Sequence, residues 1–231
     1  VAPELTGALE LIADVLAVGA VAAIGHTDAD YDQAQAAIAA GATLATHLFN
    51  AMPPIHHRAP GAVAAALEAD LACEVINDGA HVHPAITALV SRVPGRLVLI
   101  TDAIDAAGAG DGDYLLGGQR VRVRAGQARL AADETLAGST LTMDAAVRRS
   151  VQASGLTIQA ASAAASGNPA RVLGIDDRCG SITPGRDADL VLLDDELRVL
   201  RVMAGGARCH ATQAVAMTPN SAGAACSSFL G

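Results

Sequence analysis

The sequence contains no lysine and no tryptophan, and its aromatic residues are two tyrosines and two phenylalanines. Without lysine the chain cannot form a Schiff base, hold a nucleotide phosphate with a P-loop lysine, or bridge two metals through a carboxylated lysine. So few aromatics leave no platform for stacking nucleobases. A formal net charge of −9 opposes contact with a phosphate backbone, so no nucleic-acid partner is expected. The four cysteines, Cys73, Cys179, Cys209 and Cys226, show no CxxC spacing and are read as reduced and structural. No apolar stretch approaches the roughly 20 residues of a membrane span, and the first residues lack the order of a signal peptide. A soluble, cytoplasmic protein without membrane contact is expected.

What is present is aliphatic. Hydrophobic residues make up 52% of the 231, enough to bury a sizeable core of Ala, Val, Leu and Ile. Four short apolar runs each carry a polar residue at or near the end: VAAIGH at His26, TLATHLF at His47, LACEVIND at Asp78 and RLVLITD at Asp102. Between them lie Ala-rich segments of about three helical turns, the last two opening near a proline. Such alternation predicts a parallel sheet covered on both faces. Catalytic groups of parallel α/β barrels gather at the carboxyl ends of the strands, where these polar residues sit. A doubly wound open sheet would look similar locally, but its Gly-rich phosphate-binding turn is missing. From about Tyr114 short strands, two helices and a closing hairpin are expected, and after Gly206 the pattern reads as tail.

His26 and His47 end successive runs, where imidazoles suit a zinc-like ion; the plain alternative is a hydrogen-bonded structural histidine. Asp102 ends a later run and would serve as acid/base beside an activated water, or as a cap. In NDGAHVH, His81 is placed to hydrogen-bond an oxygen, and His83 reads as a loop residue before Pro84. Asn50 and the backbone of Ala51 follow His47. Arg58, on a Pro-flanked loop, suits phosphate or carboxylate, or is simply a solvated surface residue. Backbone amides at Gly138 and Ser139 could receive a ligand. A calcium reading of Asp28, Asp30 and Asp32 fails, since the loop template wants Gly where Gln33 stands and Glu where Ala39 stands.

The stretches GHTDADYDQA, ATHLFNAMPPIHHRAPG, NDGAHV, LVLITDA, LAGSTLTMDAAVR, NPARVLGI and GSITPGRDADLVLLD, in this order, resemble the N-acetylglucosamine-6-phosphate deacetylases of the amidohydrolase superfamily, from about Val1 to Gly206. The resemblance implies an α/β fold: the C-terminal half of a TIM-type (β/α)8 barrel over residues 1–175, the C-terminal strands of a small β-sandwich domain over 176–206, and a tail over 207–231. It implies His26 and His47 as ligands of a divalent metal, zinc with ferrous iron as the alternative, and Asp102 as catalytic acid/base. It further implies that His81 contacts substrate and polarises the acetamide carbonyl, with sugar contacts from Asn50, Ala51, Ala137, Gly138 and Ser139. Arg58 would reach the phosphate in a neighbouring subunit's site, so a homodimer is implied. The implied reaction converts a phosphorylated amino sugar, N-acetylglucosamine 6-phosphate, to glucosamine 6-phosphate and acetate.

The glutamate ligand, which the family carries in an upstream segment, has no counterpart here, and Glu4 is no substitute for it. The chain is therefore read as a deacetylase lacking its front half. Two alternatives stand beside it: an amidohydrolase acting on a cyclic amide, and an inactive fragment that only associates with partners or itself.

Overall fold

A computed structural model describes residues 1–211, with side chains to Arg208. The chain divides into two compact units, the first spanning Val1–Arg186 and the second beginning at Asp187. This boundary falls later than the 175/176 division expected from the sequence.

In the first unit the four apolar runs become parallel strands β1 (Ala23–Ile24), β2 (Leu44–Ala45), β3 (Ala72–Ile76) and β4 (Leu97–Ile100). They lie side by side in chain order. Helix α1 (Ala8–Ala17) precedes β1, and α2 (Tyr31–Ala39), α3 (Gly61–Glu68) and α4 (Pro84–Val90) link successive strands. In a sheet of this consecutive order, right-handed crossovers place the three linking helices on one face. Their shared core contains Ile12, Ala37, Val63 and Val90 from the helices, and Cys73, Val75, Leu97 and Leu99 from the strands. Glu74 lies between Cys73 and Val75, on the opposite face by strand alternation, and is half-buried there.

The helix starts follow local chemistry. Asp30 caps α2, its Oδ1 accepting from the Gln33 amide (2.8 Å) while the Gln33 side chain accepts from the Asp30 amide (2.9 Å). This accounts for an aspartate that otherwise invites a calcium reading. His83 caps α4, its Nδ1 accepting from the Ala85 amide at 3.2 Å ahead of Pro84.

After β4 an antiparallel sheet, β5 (Gly112–Leu116), β6 (Gln119–Arg124) and β7 (Gln127–Leu130), packs around Val121, Val123 and Ala128. Then come α5 (Met143–Gln152), α6 (Ile158–Ser162), one π-helical segment (Ala163–Gly167) and α7 (Asn168–Val172). The second unit is an antiparallel sheet of β8 (Leu190–Leu193), β9 (Val199–Ala204) and β10 (Ala207–Ala211), in the order β10-β9-β8. The tail expected from residue 207 is corrected by β10, which pairs with β9 beyond the turn at Gly205 and Gly206. Its sequence, ARCHA, lacks the apolar alternation that announces a strand. The rest of that expected tail lies outside the described residues. Among the described residues no helix is long and apolar enough to cross a membrane.

Cys73 is fully buried in β3, and that burial pushes its thiol up to about 12, with the nearby Arg96 charge acting the other way. Only on the order of one thiol in 10⁴ is then thiolate at pH 8. An alkylating reagent should modify the half-buried Cys179 in the folded chain and leave Cys73 until denaturant is added. Peptide mapping by mass spectrometry decides; equal rates at the two sites in the folded chain would mean that β3 is not covered.

Candidate active site

Each of three strands ends in a turn with left-handed backbone at a residue other than glycine: His26 after β1 (φ 47°), His47 after β2 (φ 29°) and Asp102 after β4 (φ 50°). Each such residue costs about 1–2 kcal/mol, and strain of this kind collects where function demands it. Phe49 (φ 79°) and Ala51 (φ 50°) continue the pattern beyond His47. The turns bring the rings of His26 and His47 to a centroid separation of 4.6 Å, edge to face at 70°. Gly25 permits this, since a Cβ there would lie 2.6 Å from Thr46 Cβ.

These side chains open on one cavity of about 700 Å³. His26, His47, His81 and Asp102 line it, together with Asn50, Ala51, Ala137 and Gly138. The structure thus gathers eight of the ten residues singled out from the sequence. Arg58 does not join them: it borders a separate cavity with Asp28, Asp30 and Asp32, and its Nη1 lies 2.6 Å from His57 Nε2. Ser139 is buried behind the site. Its hydroxyl donates to the Thr101 carbonyl and accepts from the Leu141 amide, and its own amide donates to the Asp102 carbonyl at 2.8 Å. Ser139 therefore holds the Asp102 turn; its side chain is not offered to the cavity.

Sequence reasoning missed the other supports. Glu74 Oε2 accepts from the His47 amide at 3.3 Å, and the Glu74 carbonyl accepts from the Leu48 amide at 2.8 Å. Burial holds the Glu74 carboxyl above its ordinary range; the Asp102 charge adds to this, while the His47 amide and ring act against it. Glu4 braces the segment after His26 with both oxygens, accepting from the Thr27 hydroxyl and from the Asp28 amide at 2.8 Å. Burial alone would raise the Glu4 carboxyl, but those two hydrogen bonds keep it below its ordinary range. The cavity wall is closed by Leu116 of β5, Arg129 of β7 and the Thr135–Leu136 segment. Nothing in their local sequence announces this, because their placement depends on how the β5–β7 sheet folds back.

Gly138 (φ 62°) faces Asp102 most tightly: a Cβ there would meet the Asp102 carbonyl at 3.0 Å and Ile104 Cγ2 at 2.5 Å. Gly138→Ala should lose about 2–4 kcal/mol of unfolding free energy, from left-handed backbone plus overpacking. Denaturant unfolding measures it; a loss under about 0.5 kcal/mol would show that this segment moves freely away from Asp102.

Residues 2–219 match the amidohydrolase family. The N-acetylglucosamine-6-phosphate deacetylase of Danio rerio is 43% identical over 213 residues, covering 89% of this chain and 52% of that protein. The N-acetylgalactosamine-6-phosphate deacetylase of Escherichia coli O157:H7 is 44% identical over 207 residues, covering 89% of this chain and 55% of its own length. A solved structure of an N-acetyl-D-glucosamine-6-phosphate deacetylase mutant from Mycobacterium smegmatis, in complex with N-acetyl-D-glucosamine-6-phosphate, superimposes with a TM-score of 0.87 at 46% identity. That match covers 90% of this chain and 56% of the other. The chain spans about half the length of the curated relatives it matches. Since the family match runs through both the strand-end residues and the sheet that carries them, the chain belongs to the amidohydrolase family.

Proposed function

We propose that this chain carries the catalytic face of a metal-dependent deacetylase that converts N-acetylglucosamine 6-phosphate to glucosamine 6-phosphate and acetate. The observation that carries the reading is the convergence of His26, His47, His81 and Asp102 on one cavity at the carboxyl ends of the strands. The named relatives act on N-acetylhexosamine 6-phosphates of both the gluco and galacto kind, and none of those features favours a cyclic amide.

We further read the sheet as half of a TIM-type barrel and the second unit as strands of a small β domain. The consecutive order β1-β2-β3-β4 supports this. So does Val1, whose amino group donates to the Ala23 carbonyl at 2.6 Å and whose carbonyl accepts from the Gly25 amide at 3.1 Å. That is parallel pairing on the outer edge of β1.

His47 Nδ1 is buried without a hydrogen-bond partner, a state costing about 1–3 kcal/mol. Beside the His26 ring it fits one of two imidazole ligands for a divalent cation, zinc or ferrous iron. Among the described residues no group of three His, Cys, Asp or Glu is arranged to hold a metal, so His26 and His47 are the part of such a site that they supply. The chemistry such a cation supplies is Lewis acidity, which activates water and polarises a carbonyl oxygen.

The chain's own groups do the rest. Asp102, which lines the cavity, takes a proton from the attacking water on a carboxylate oxygen and passes it to the departing amine nitrogen. His81 meets the substrate from the neighbouring strand end. Asn50 Nδ2 donates to the carbonyls of His47 (3.0 Å) and Leu48 (3.3 Å), which fixes its amide and turns Oδ1 to the sugar. Arg58, away from its own cavity, is assigned to the phosphate of a second subunit in a homodimer. Cys73 and Cys179 are free, which suits the reducing cytoplasm.

The test is release of free amine from N-acetylglucosamine 6-phosphate with added Zn²⁺. Turnover is expected, with none from His47→Ala; Asp102→Asn should retain zinc while kcat falls about 10²–10⁴-fold. A folded chain that releases no amine at any zinc concentration would favour the inactive-fragment reading. An Asp102→Asn variant as fast as the parent would remove the acid/base assignment.

A further inference from the structure

The loop after β3 is built on a rigid base. Asn77 is buried, its Nδ2 donating to Ser150 Oγ at 2.9 Å and to the Ala146 carbonyl at 3.4 Å, and its Oδ1 accepting from the Thr87 hydroxyl at 3.3 Å. The strand end is thereby tied to α4 and α5 at once. Asp78, the next residue, folds its carboxylate back over the loop. Its Oδ1 accepts from the amides of Ala80 (2.8 Å) and His81 (2.9 Å), and its Oδ2 lies 2.7 Å from His81 Nδ1. The two side chains are almost out of solvent, with 6% of His81 and 17% of Asp78 exposed. Burial would raise the Asp78 carboxyl, but the His81 ring and the two amides hold it below its ordinary range.

An ionised carboxylate can only accept, so the ring nitrogen facing it must carry a proton. With Nδ1 committed to Asp78 inside the loop, Nε2 is the ring atom left to face the cavity that His81 lines. We propose that Asp78 is a positioning residue, which locks His81 with its proton on Nδ1 and presents Nε2 to the substrate. The lock acts on orientation and tautomer together, because the same carboxylate fixes the main chain of the loop and the ring it carries. With its proton on Nδ1, the ring offers Nε2 as an acceptor for a substrate hydroxyl or N–H, and it can polarise a carbonyl oxygen only when Nε2 carries a second proton, with the Asp78 charge across the ring. The inference rests on the proposed deacetylase site for its kinetic consequence alone.

Ring nitrogen shifts of ¹⁵N-labelled chain distinguish the two tautomers of a neutral histidine, and His81→Gln assigns the signal. In the parent chain His81 is expected to show a protonated Nδ1 and an unprotonated Nε2. Asp78→Asn keeps an oxygen for the amides of Ala80 and His81 but turns an N–H towards the ring, so the loop survives and the tautomer inverts to Nε2–H. Asp78→Ala removes the lock, and the ring should show a mixture of both forms. With N-acetylglucosamine 6-phosphate and Zn²⁺, kcat of Asp78→Asn should fall about 10–100-fold while KM stays within a few-fold. A parent chain with its proton on Nε2, an Asp78→Asn variant with unchanged tautomer, or an inverted tautomer with unchanged kcat would each overturn the proposal. If the parent chain turns over no substrate, the deacetylase reading fails, but the ring signals still decide whether Asp78 sets the tautomer.

Discussion

Everything at the cavity depends on turning the chain off a parallel sheet within one or two residues of each strand end. A strand followed by such a turn exposes amides and carbonyls that have left the ladder, and at three of these ends the turning residue is a left-handed His or Asp. That conformation opposes folding by about 1–2 kcal/mol at each position, and it persists because each turn is held from outside. Glu4 holds the segment after His26, Glu74 the amide of His47, Asp78 the loop of His81, and Ser139 the carbonyls of Thr101 and Asp102. Four separate parts of the chain thus supply the braces, so the site forms only when the first unit has folded as a whole.

The braces come with an electrostatic consequence. The Asp102 charge opposes ionisation of Glu74, and Asp78 adds a further carboxylate just beyond the end of β3. Three imidazoles, His26, His47 and His81, face the same cavity. On the proposed reading, a bound cation would offset the charge of these carboxylates.

The sequence made the cavity-lining polar residues visible and their supports invisible, for a physical reason. A polar residue at the end of a buried apolar run stands out against strand periodicity, which is how His26, His47, Asp102 and His81 could be read as one set. The parallel strands and their helices were legible for the same reason. Glu74 was not, because one charged residue inside ACEVI looks like an interruption until β3 is seen to turn alternate residues away from the helix-covered face. Ser139 was legible as a site residue, but its direction was not, since only its bonds to the Thr101 carbonyl and the Leu141 amide show its hydroxyl turned inward. Arg58 lies apart because its loop between β2 and α3 leaves the strand ends. The walls contributed by Leu116 and Leu136 are products of tertiary folding that no local pattern encodes.

The four braces do not make equal chemical demands. Glu74 and Ser139 act on main-chain groups, so their task is met by an acceptor or donor at the right place, whatever its charge. Glu4 uses two acceptors, one for a hydroxyl and one for an amide, but neither touches a working side chain. Asp78 alone reaches a ring that lines the cavity, and it alone needs two oxygens of the same kind: one for the loop amides, one for an imidazole N–H. A carboxylate is the only side-chain group that offers both. The loop after β3 therefore has the narrowest choice of residue among the strand ends, because there the support of the backbone and the preparation of a side chain for chemistry pass through one group.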